Sequence, residues 1–317
     1  MKSFKTPIVI IGMLVLVYSC GSNKNGKEYL NEWKFTENID KAKIVPTDQE
    51  TGKMFDILSS KTTGINFNNE LLETFDLNYY RYGYSYNGAG VGVGDFNNDG
   101  LQDLYYTGNV VPDRIYINKG NMKFEDITAK SGINQKPGWS TGVTIVDVNE
   151  DGFKDIYVCR ARFEDPEKRR NLLYINNGDM TFTEKAKEFG LDDDSYSTHA
   201  NFFDADNDGD LDVYIVTHPT DFKDKNKQKN YQKIEEGTNT SNRFYRNDGN
   251  GKFTECHKEV GINNHGFGLS VTTGDINNDG WMDVFVGNDY IMHDYTYLNQ
   301  GDGTFKESSR EVLNKTS

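Results

Sequence analysis

Four stretches of the chain hold oxygen-bearing side chains at one fixed spacing: Asp95-Phe-Asn-Asn-Asp-Gly-Leu-Gln-Asp103, Asp147-Val-Asn-Glu-Asp-Gly-Phe-Lys-Asp155, Asp204-Ala-Asp-Asn-Asp-Gly-Asp-Leu-Asp212 and Asp275-Ile-Asn-Asn-Asp-Gly-Trp-Met-Asp283. Positions 1, 3, 5 and 9 supply the ligands. These are Asp95, Asn97, Asp99 and Asp103, then Asp147, Asn149, Asp151 and Asp155, then Asp204, Asp206, Asp208 and Asp212, then Asp275, Asn277, Asp279 and Asp283. Position 7 (Leu101, Phe153, Asp210 or Trp281) offers a backbone carbonyl whatever its side chain, and position 6 is always Gly, which allows a sharp turn. Hard oxygen ligands in a flexible loop select Ca²⁺ over Zn²⁺ or Cu²⁺. Carboxylates clustered this closely repel one another without counter-ions, and about four Ca²⁺, one per loop, turn that repulsion into attraction. A helical calcium loop needs Glu at position 12. Here that position is Tyr106, Val158, Ile215 or Val286, which belong to strands, so loop-to-helix sites are excluded.

Each loop sits between two runs of β-forming residues. Gly90-Val-Gly-Val-Gly94 and Gly142-Val-Thr-Ile-Val146 precede loops, and Asp103-Leu-Tyr-Tyr, Asp155-Ile-Tyr-Val, Asp212-Val-Tyr-Ile and Asp283-Val-Phe-Val follow them. A second motif alternates with the first: Tyr116-Ile-Asn-Lys-Gly…Phe124, Tyr174-Ile-Asn-Asn-Gly…Phe182, Tyr245-Arg-Asn-Asp-Gly…Phe253 and Tyr297-Leu-Asn-Gln-Gly…Phe305. Its Asn-x-Gly is a hairpin turn and its Phe opens a fourth strand. Four strands per repeat of about 40–50 residues predict an all-β fold, a β-propeller of four-stranded blades. The blades run at about 86–130, 138–188, 195–259 and 266–309 within a domain spanning 53–317. Residues 55–65 parallel the segments Phe124…Gly132-Ile133, Phe182…Gly190-Leu191 and Phe253…Gly261-Ile262. They predict one N-terminal outer strand that has no inner strands before it, as expected of a fragment of a longer protein.

Lys2 and Lys5, an apolar run from Ile8 to Val17 and Ser19-Cys20 describe an export leader over 1–19 that is too short to span a bilayer. Val17-Tyr18-Ser19-Cys20 resembles the lipobox of bacterial lipoproteins, which implies a lipid on Cys20, followed by a polar tether over 20–52. Exported, lipid-anchored placement in the bacterial cell envelope, at the outer membrane or cell surface, is what that resemblance implies. The paired motifs over about 55–309 resemble FG-GAP/VCBS repeats, the Ca²⁺-binding blades also found in integrin α-subunit propellers. The closest likeness is to lipid-anchored bacterial repeat proteins, some of which continue into an ASPIC/UnbV-type domain. The resemblance implies seven blades, so the propeller is expected to be incomplete relative to a seven-bladed ring.

The chain has 317 residues and a formal net charge of −14, which makes nucleic acid a poor partner. Tyr 19 and Phe 19 exceed what a disordered acidic chain carries, and Cys 3 cannot build a disulfide scaffold. Cys159 and Cys256 fall at different places in the repeat, so no bridge is implied. In a blade the first-to-second and third-to-fourth turns share one face. The opposite face then gathers the long connections and a candidate partner surface for a glycan or a protein: Trp139, Arg160, Arg162, His265, Tyr290 and His293, with a lysine-bearing stretch between His218 and Asn242. No nucleophile elbow, zinc-protease pair or phosphate loop occurs, so the expected role is non-catalytic. The alternative is a Ca²⁺-dependent polysaccharide lyase or hydrolase, which needs Arg160, His265, Tyr290 and His293 in one cleft. His199, where other repeats have Gly or Ser, is expected to face the channel.

Overall fold

The computed structural model describes residues 55–133, 138–218, 241–247, 249, 251–264, 266–289 and 292–313. The leader, Cys20, the tether, the lysine-bearing connection 219–240, His265 and Tyr290 lie outside them. The chain divides into units Met1–Asp56 and Ile57–Ser317, and every strand described here belongs to the second.

Sixteen strands form four antiparallel sheets, each a four-strand meander in chain order. Blade 1 is β1 (Val91–Gly94), β2 (Asp103–Tyr106), β3 (Arg114–Asn118) and β4 (Phe124–Asp126). Blade 2 is β5 (Ser140–Val146), β6 (Asp155–Arg160), β7 (Leu172–Asn176) and β8 (Phe182–Glu184). Blade 3 is β9 (Ser197–Phe203), β10 (Asp212–Thr217), β11 (Arg243–Asn247) and β12 (Phe253–Glu255). Blade 4 is β13 (Gly268–Gly274), β14 (Asp283–Asn288), β15 (Tyr295–Asn299) and β16 (Phe305–Glu307). The expected all-β, four-bladed repeat is therefore the observed one.

The cores lie between blades. Tyr105, Ile115 and Ile117 of blade 1 pack with Ile156, Val158 and Tyr174 of blade 2. Alternate residues of β6 and β7, such as Tyr157 and Leu173, pack with Val213, Ile215 and Tyr245 of blade 3. The third core repeats the pattern with Tyr214 and Phe244 against Val284, Val286 and Tyr297. A second strand covered on both faces must be largely apolar, and β6 and β10 are buried along their whole length. Each fully buried side chain of this size contributes about 1.5–3 kcal/mol. Inner strands approach closely: a Cβ on Gly92 would meet Ile145 at 2.7 Å, and Thr144 Oγ1 donates to Ala200 O at 2.7 Å.

Every blade-to-blade junction also uses a glycine. Gly132, Gly190 and Gly261 have φ of +80°, +79° and +85°, and a Cβ there would stand 2.4–2.6 Å from the carbonyl oxygen of Phe182, Phe253 or Phe305. Only glycine allows both the turn and the approach. Residues 55–65 keep half of this pattern. A helical turn, Ser60–Thr63, leads to Gly64 at φ +79°, which sits against the Phe124 carbonyl as its counterparts do. The strand half is absent: residues 55–59 form no ladder, and Ile57 and Leu58 are exposed. The physical reason is that no inner strand lies beside them among the described residues. Blade 1 likewise leaves Val91 and Val93 54% and 53% exposed, and blade 4 leaves Ile276 42% exposed, at positions covered in the interior blades. Among the described residues the inner strands follow one another as a series, β1 beside β5, β5 beside β9 and β9 beside β13.

Candidate metal centres in the blade loops

Each aspartate loop joins the first and second strands of its blade. In loop 1 the turn is made by Asn98 at φ 56° and Gly100 at φ 86°, and Glu150 with Gly152, Asn207 with Gly209 and Asn278 with Gly280 repeat this left-handed pair. Asn and Gly are the residues that tolerate such a conformation most readily. The loop then closes on itself. Asp99 N–H donates to Asp95 Oδ1 (3.1 Å) and Asn97 Oδ1 (3.1 Å), Gly100 N–H to Asp95 Oδ2 (2.7 Å), and Leu101 N–H to Asp99 Oδ1 (2.8 Å). Loops 2 and 4 repeat these bonds through Asp147, Asn149 and Asp151 and through Asp275, Asn277 and Asp279. So the ligand positions converge in each of these loops.

Loop 3 differs in one residue type with a large consequence. In loops 1, 2 and 4 the position 3 asparagine donates from Nδ2 to the position 5 carboxylate, at 3.1, 2.9 and 2.7 Å. Asp206 has no such donor. Asp204, Asp206 and Asp208 each bring a carboxylate oxygen within 4.8 Å of the others, and Asp204 Oδ1 and Asp206 Oδ1 are buried without a hydrogen-bond partner. Buried orphaned carboxylate oxygens are costly, and an oxygen-seeking dication satisfies them. The residues therefore fit Ca²⁺.

The position 9 aspartates have a second duty. Asp103, Asp155, Asp212 and Asp283 are buried. One oxygen of each accepts the position 2 N–H (Phe96, Val148, Ala205, Ile276, at 2.8–3.1 Å), and the other accepts the N–H of Asn118, Asn176, Asn247 or Asn299 at 2.7–2.9 Å. Each oxygen retains a lone pair. Burial pushes Asp155 up to about 6 and Asp212 up to about 7, against the lowering effect of those N–H bonds and with the neighbouring loop carboxylates adding to the rise. Burial raises Asp103 and Asp206 as well, and Asp208 adds to the second.

The asparagine of the second motif explains why the two motifs travel together, a role that the motif spacing does not disclose. Its N–H holds the position 9 carboxylate, and its Oδ1 accepts the hairpin glycine N–H at Asn118, Asn176 and Asn299. In blades 2 and 4 the aromatic position 7 side chain covers that hairpin. Cβ atoms built on Gly178 and Gly301 would meet Phe153 at 3.1 Å and Trp281 at 2.9 Å. Loop and hairpin thus share one face, as expected.

On the opposite face a segment over 69–87 crosses the blades. Asn69 Nδ2 donates to Asn109 Oδ1 (2.7 Å), Arg162 donates to Asp76 O (3.0 Å), Tyr82 packs edge-on against Trp139, and the Tyr84 hydroxyl donates to Asp289 Oδ2 (2.5 Å). Trp139, 1% exposed, and Arg160, 8% exposed, lie buried beneath this face rather than on it. Arg162 stacks over Trp139 at 4.9 Å, and His293 is exposed. A cleft of about 300 Å³ is lined by Tyr82, Tyr84, Trp139, His199, His218 and Leu269 among others, and includes neither Arg160 nor His293. His199 is among the residues lining this cleft. Burial lowers its imidazole and holds that of His218 down to about 4, so both are neutral at pH 7. Cys159 and Cys256 are free and buried.

Meander sheets stacked face to face, each with an aspartate loop at its inner hairpin, define a propeller-type repeat protein. A family model described as FG-GAP-like repeat matches residues 95–158, 164–215, 236–286 and 275–317, and the chain belongs to that family. Its repeats build propeller-type interaction modules, are generally non-catalytic and often bind calcium. The comparison with curated proteins finds no match.

Proposed function

We propose that the protein is a calcium-loaded, non-catalytic propeller module that binds a glycan or a protein, held on the bacterial cell envelope by a lipid on Cys20. The observation that carries the calcium reading is the pair of buried, unpartnered oxygens on Asp204 and Asp206. About four Ca²⁺, one per loop, supply the positive charge that these clusters need, with Asp95, Asp147, Asp204 and Asp275 heading the four ligand sets. The anchor rests on the leader and Cys20, and the outer-membrane or cell-surface address rests on the anchor. The net charge of −14 directs the partner away from nucleic acid. The polysaccharide-active alternative needs four side chains in one cleft. Arg160 is buried and His293 exposed, and no observation favours it. Calorimetric titration of CaCl₂ into the ion-stripped protein tests the reading: saturable heat near four equivalents is expected, and no heat with no bound metal overturns it.

A further inference from the structure

Two of the blade-to-blade junctions connect the ion loops themselves. In loop 3 the peptide at Ala205 lies between two ligand positions, Asp204 and Asp206. Its N–H donates to its own loop's Asp212 (3.1 Å), and its carbonyl accepts Asn299 Nδ2 from blade 4 (2.6 Å). Asn299 in turn gives its backbone N–H to Asp283 of loop 4 (2.8 Å), and Nδ2 also donates to Met282 O (3.2 Å). Loops 1 and 2 are joined the same way. Phe96 N–H donates to Asp103, Phe96 O accepts Asn176 Nδ2 (2.8 Å), and Asn176 N–H donates to Asp155 of loop 2 (2.8 Å). Asn98 of loop 1 adds a bond to Gly152 O of loop 2 (3.1 Å). Ala205, Asn176 and Asn299 are buried, where an amide hydrogen bond is stronger than in water.

We propose that Asn176 and Asn299 are positioning residues that couple neighbouring ion loops, so that filling one loop raises the affinity of the loop in the next blade. The inference rests on the calcium reading above. Coupling requires an element that both sites bias. Here it is a single asparagine, whose amide is fixed by the ligand-bearing peptide of one loop and whose backbone N–H fixes a carboxylate of the other. An ion that orders Asp204 and Asp206 orders the Ala205 peptide. That holds Asn299 in place, and the Asp283 carboxylate is then presented without further loss of freedom. Repulsion between two dications opposes the effect, but loop 3 keeps a net negative charge when one ion sits among Asp204, Asp206, Asp208 and Asp212.

Trp281, at position 7 of loop 4, makes that loop separately readable. Terbium(III) is a hard oxygen-seeking ion, and its luminescence is sensitised by a nearby indole. Terbium is titrated into the wild-type chain, Asp204→Ala, Asn299→Ala and the double variant, with Trp281→Phe identifying the loop 4 signal. Disabling loop 3 through Asp204→Ala is expected to weaken terbium binding at loop 4 by about fivefold, the lower end of ordinary coupling. In the Asn299→Ala background the same change is expected to have no further effect. Asn299→Asp, which keeps the oxygen that Gly301 N–H uses but lacks the donor to Ala205 O, is expected to uncouple the loops equally and covers the case in which the alanine variant fails to fold. Equal weakening with and without Asn299, or no weakening at all, overturns the coupling while leaving the calcium reading intact. No Trp281-dependent signal together with no calcium heat overturns both.

Discussion

Lowering the pH should empty loop 3 first. Asp212 is 1% exposed and its carboxyl is pushed up to about 7, so at pH 5 the ion-free loop carries a proton that an incoming dication must displace. For one such proton the apparent dissociation constant scales as 1 + 10^(pKa − pH), which makes loop 3 roughly 75-fold weaker at pH 5 than at pH 7.5. Asp155, pushed up to about 6, gives loop 2 only about a tenfold loss over the same interval. The same shift sets the sign for stability. A carboxyl whose folded pKa lies above its unfolded value of 3.8 favours the ion-free native state, in full, below that value, and the contribution is lost as pH rises through about 7. For Asp212 the loss is on the order of 4 kcal/mol, so stripped protein should depend on calcium most at neutral pH. Calorimetry at pH 5, 6 and 7.5 in buffers of different ionisation enthalpy measures both affinity and proton release, and subtracting the Asp204→Ala isotherm, with both chains carrying Asn299→Ala so that loops 3 and 4 are uncoupled, isolates loop 3. About 0.9 proton per ion should leave loop 3 at pH 6. Affinity constant within threefold from pH 5 to 7.5, with no proton released, would refute the reasoning.

Asp206→Asn gives loop 3 the residue of its three counterparts. It should raise the melting temperature of the ion-free protein and lower calcium affinity at that loop, and a lower ion-free melt would count against an uncompensated carboxylate cluster. Gly132→Ala should destabilise the fold by about 1–3 kcal/mol in urea titration, because its φ of +80° and a Cβ 2.4 Å from Phe182 O penalise any side chain. Cys159 and Cys256 are buried, and burial raises both thiols, the second up to about 11. A thiol reagent at pH 8 should leave both unmodified until urea is added, and peptide mapping that finds either of them modified in the native protein at the rate of a free thiol would contradict their placement.

The blade pattern is legible in the sequence because a repeat states its rule several times. Asp-x-Asn-x-Asp-Gly, with Asp in place of the Asn in loop 3, and Tyr-x-Asn-x-Gly mark the turns between the first two and last two strands, and Gly132, Gly190 and Gly261 recur at the junctions. The opposite face is not legible for the converse reason. Residues 69–87 occur once, have no period, and are placed by contacts such as Tyr84 with Asp289, which are 205 residues apart in sequence. That single segment packs over Trp139, which sequence pattern alone assigns to the surface together with Arg160.

The loops show how a repeat can be read correctly and still incompletely. Spacing identifies which residues converge, since each ligand position is local to its loop. It is silent on Asn176 and Asn299, because their partners belong partly to another blade: Phe96 O lies 80 residues from Asn176, and Ala205 O lies 94 from Asn299. The co-occurrence of the two motifs is the available signal. An asparagine that must recur wherever an aspartate loop recurs is serving that loop. At Asn176 and Asn299 the backbone N–H serves its own blade while the amide serves the one before. Between loops 1 and 2 and between loops 3 and 4 the ion sites are therefore structurally continuous, so removing metal from one of these loops should be felt at its neighbour in the next blade as well as in the sheet that carries it.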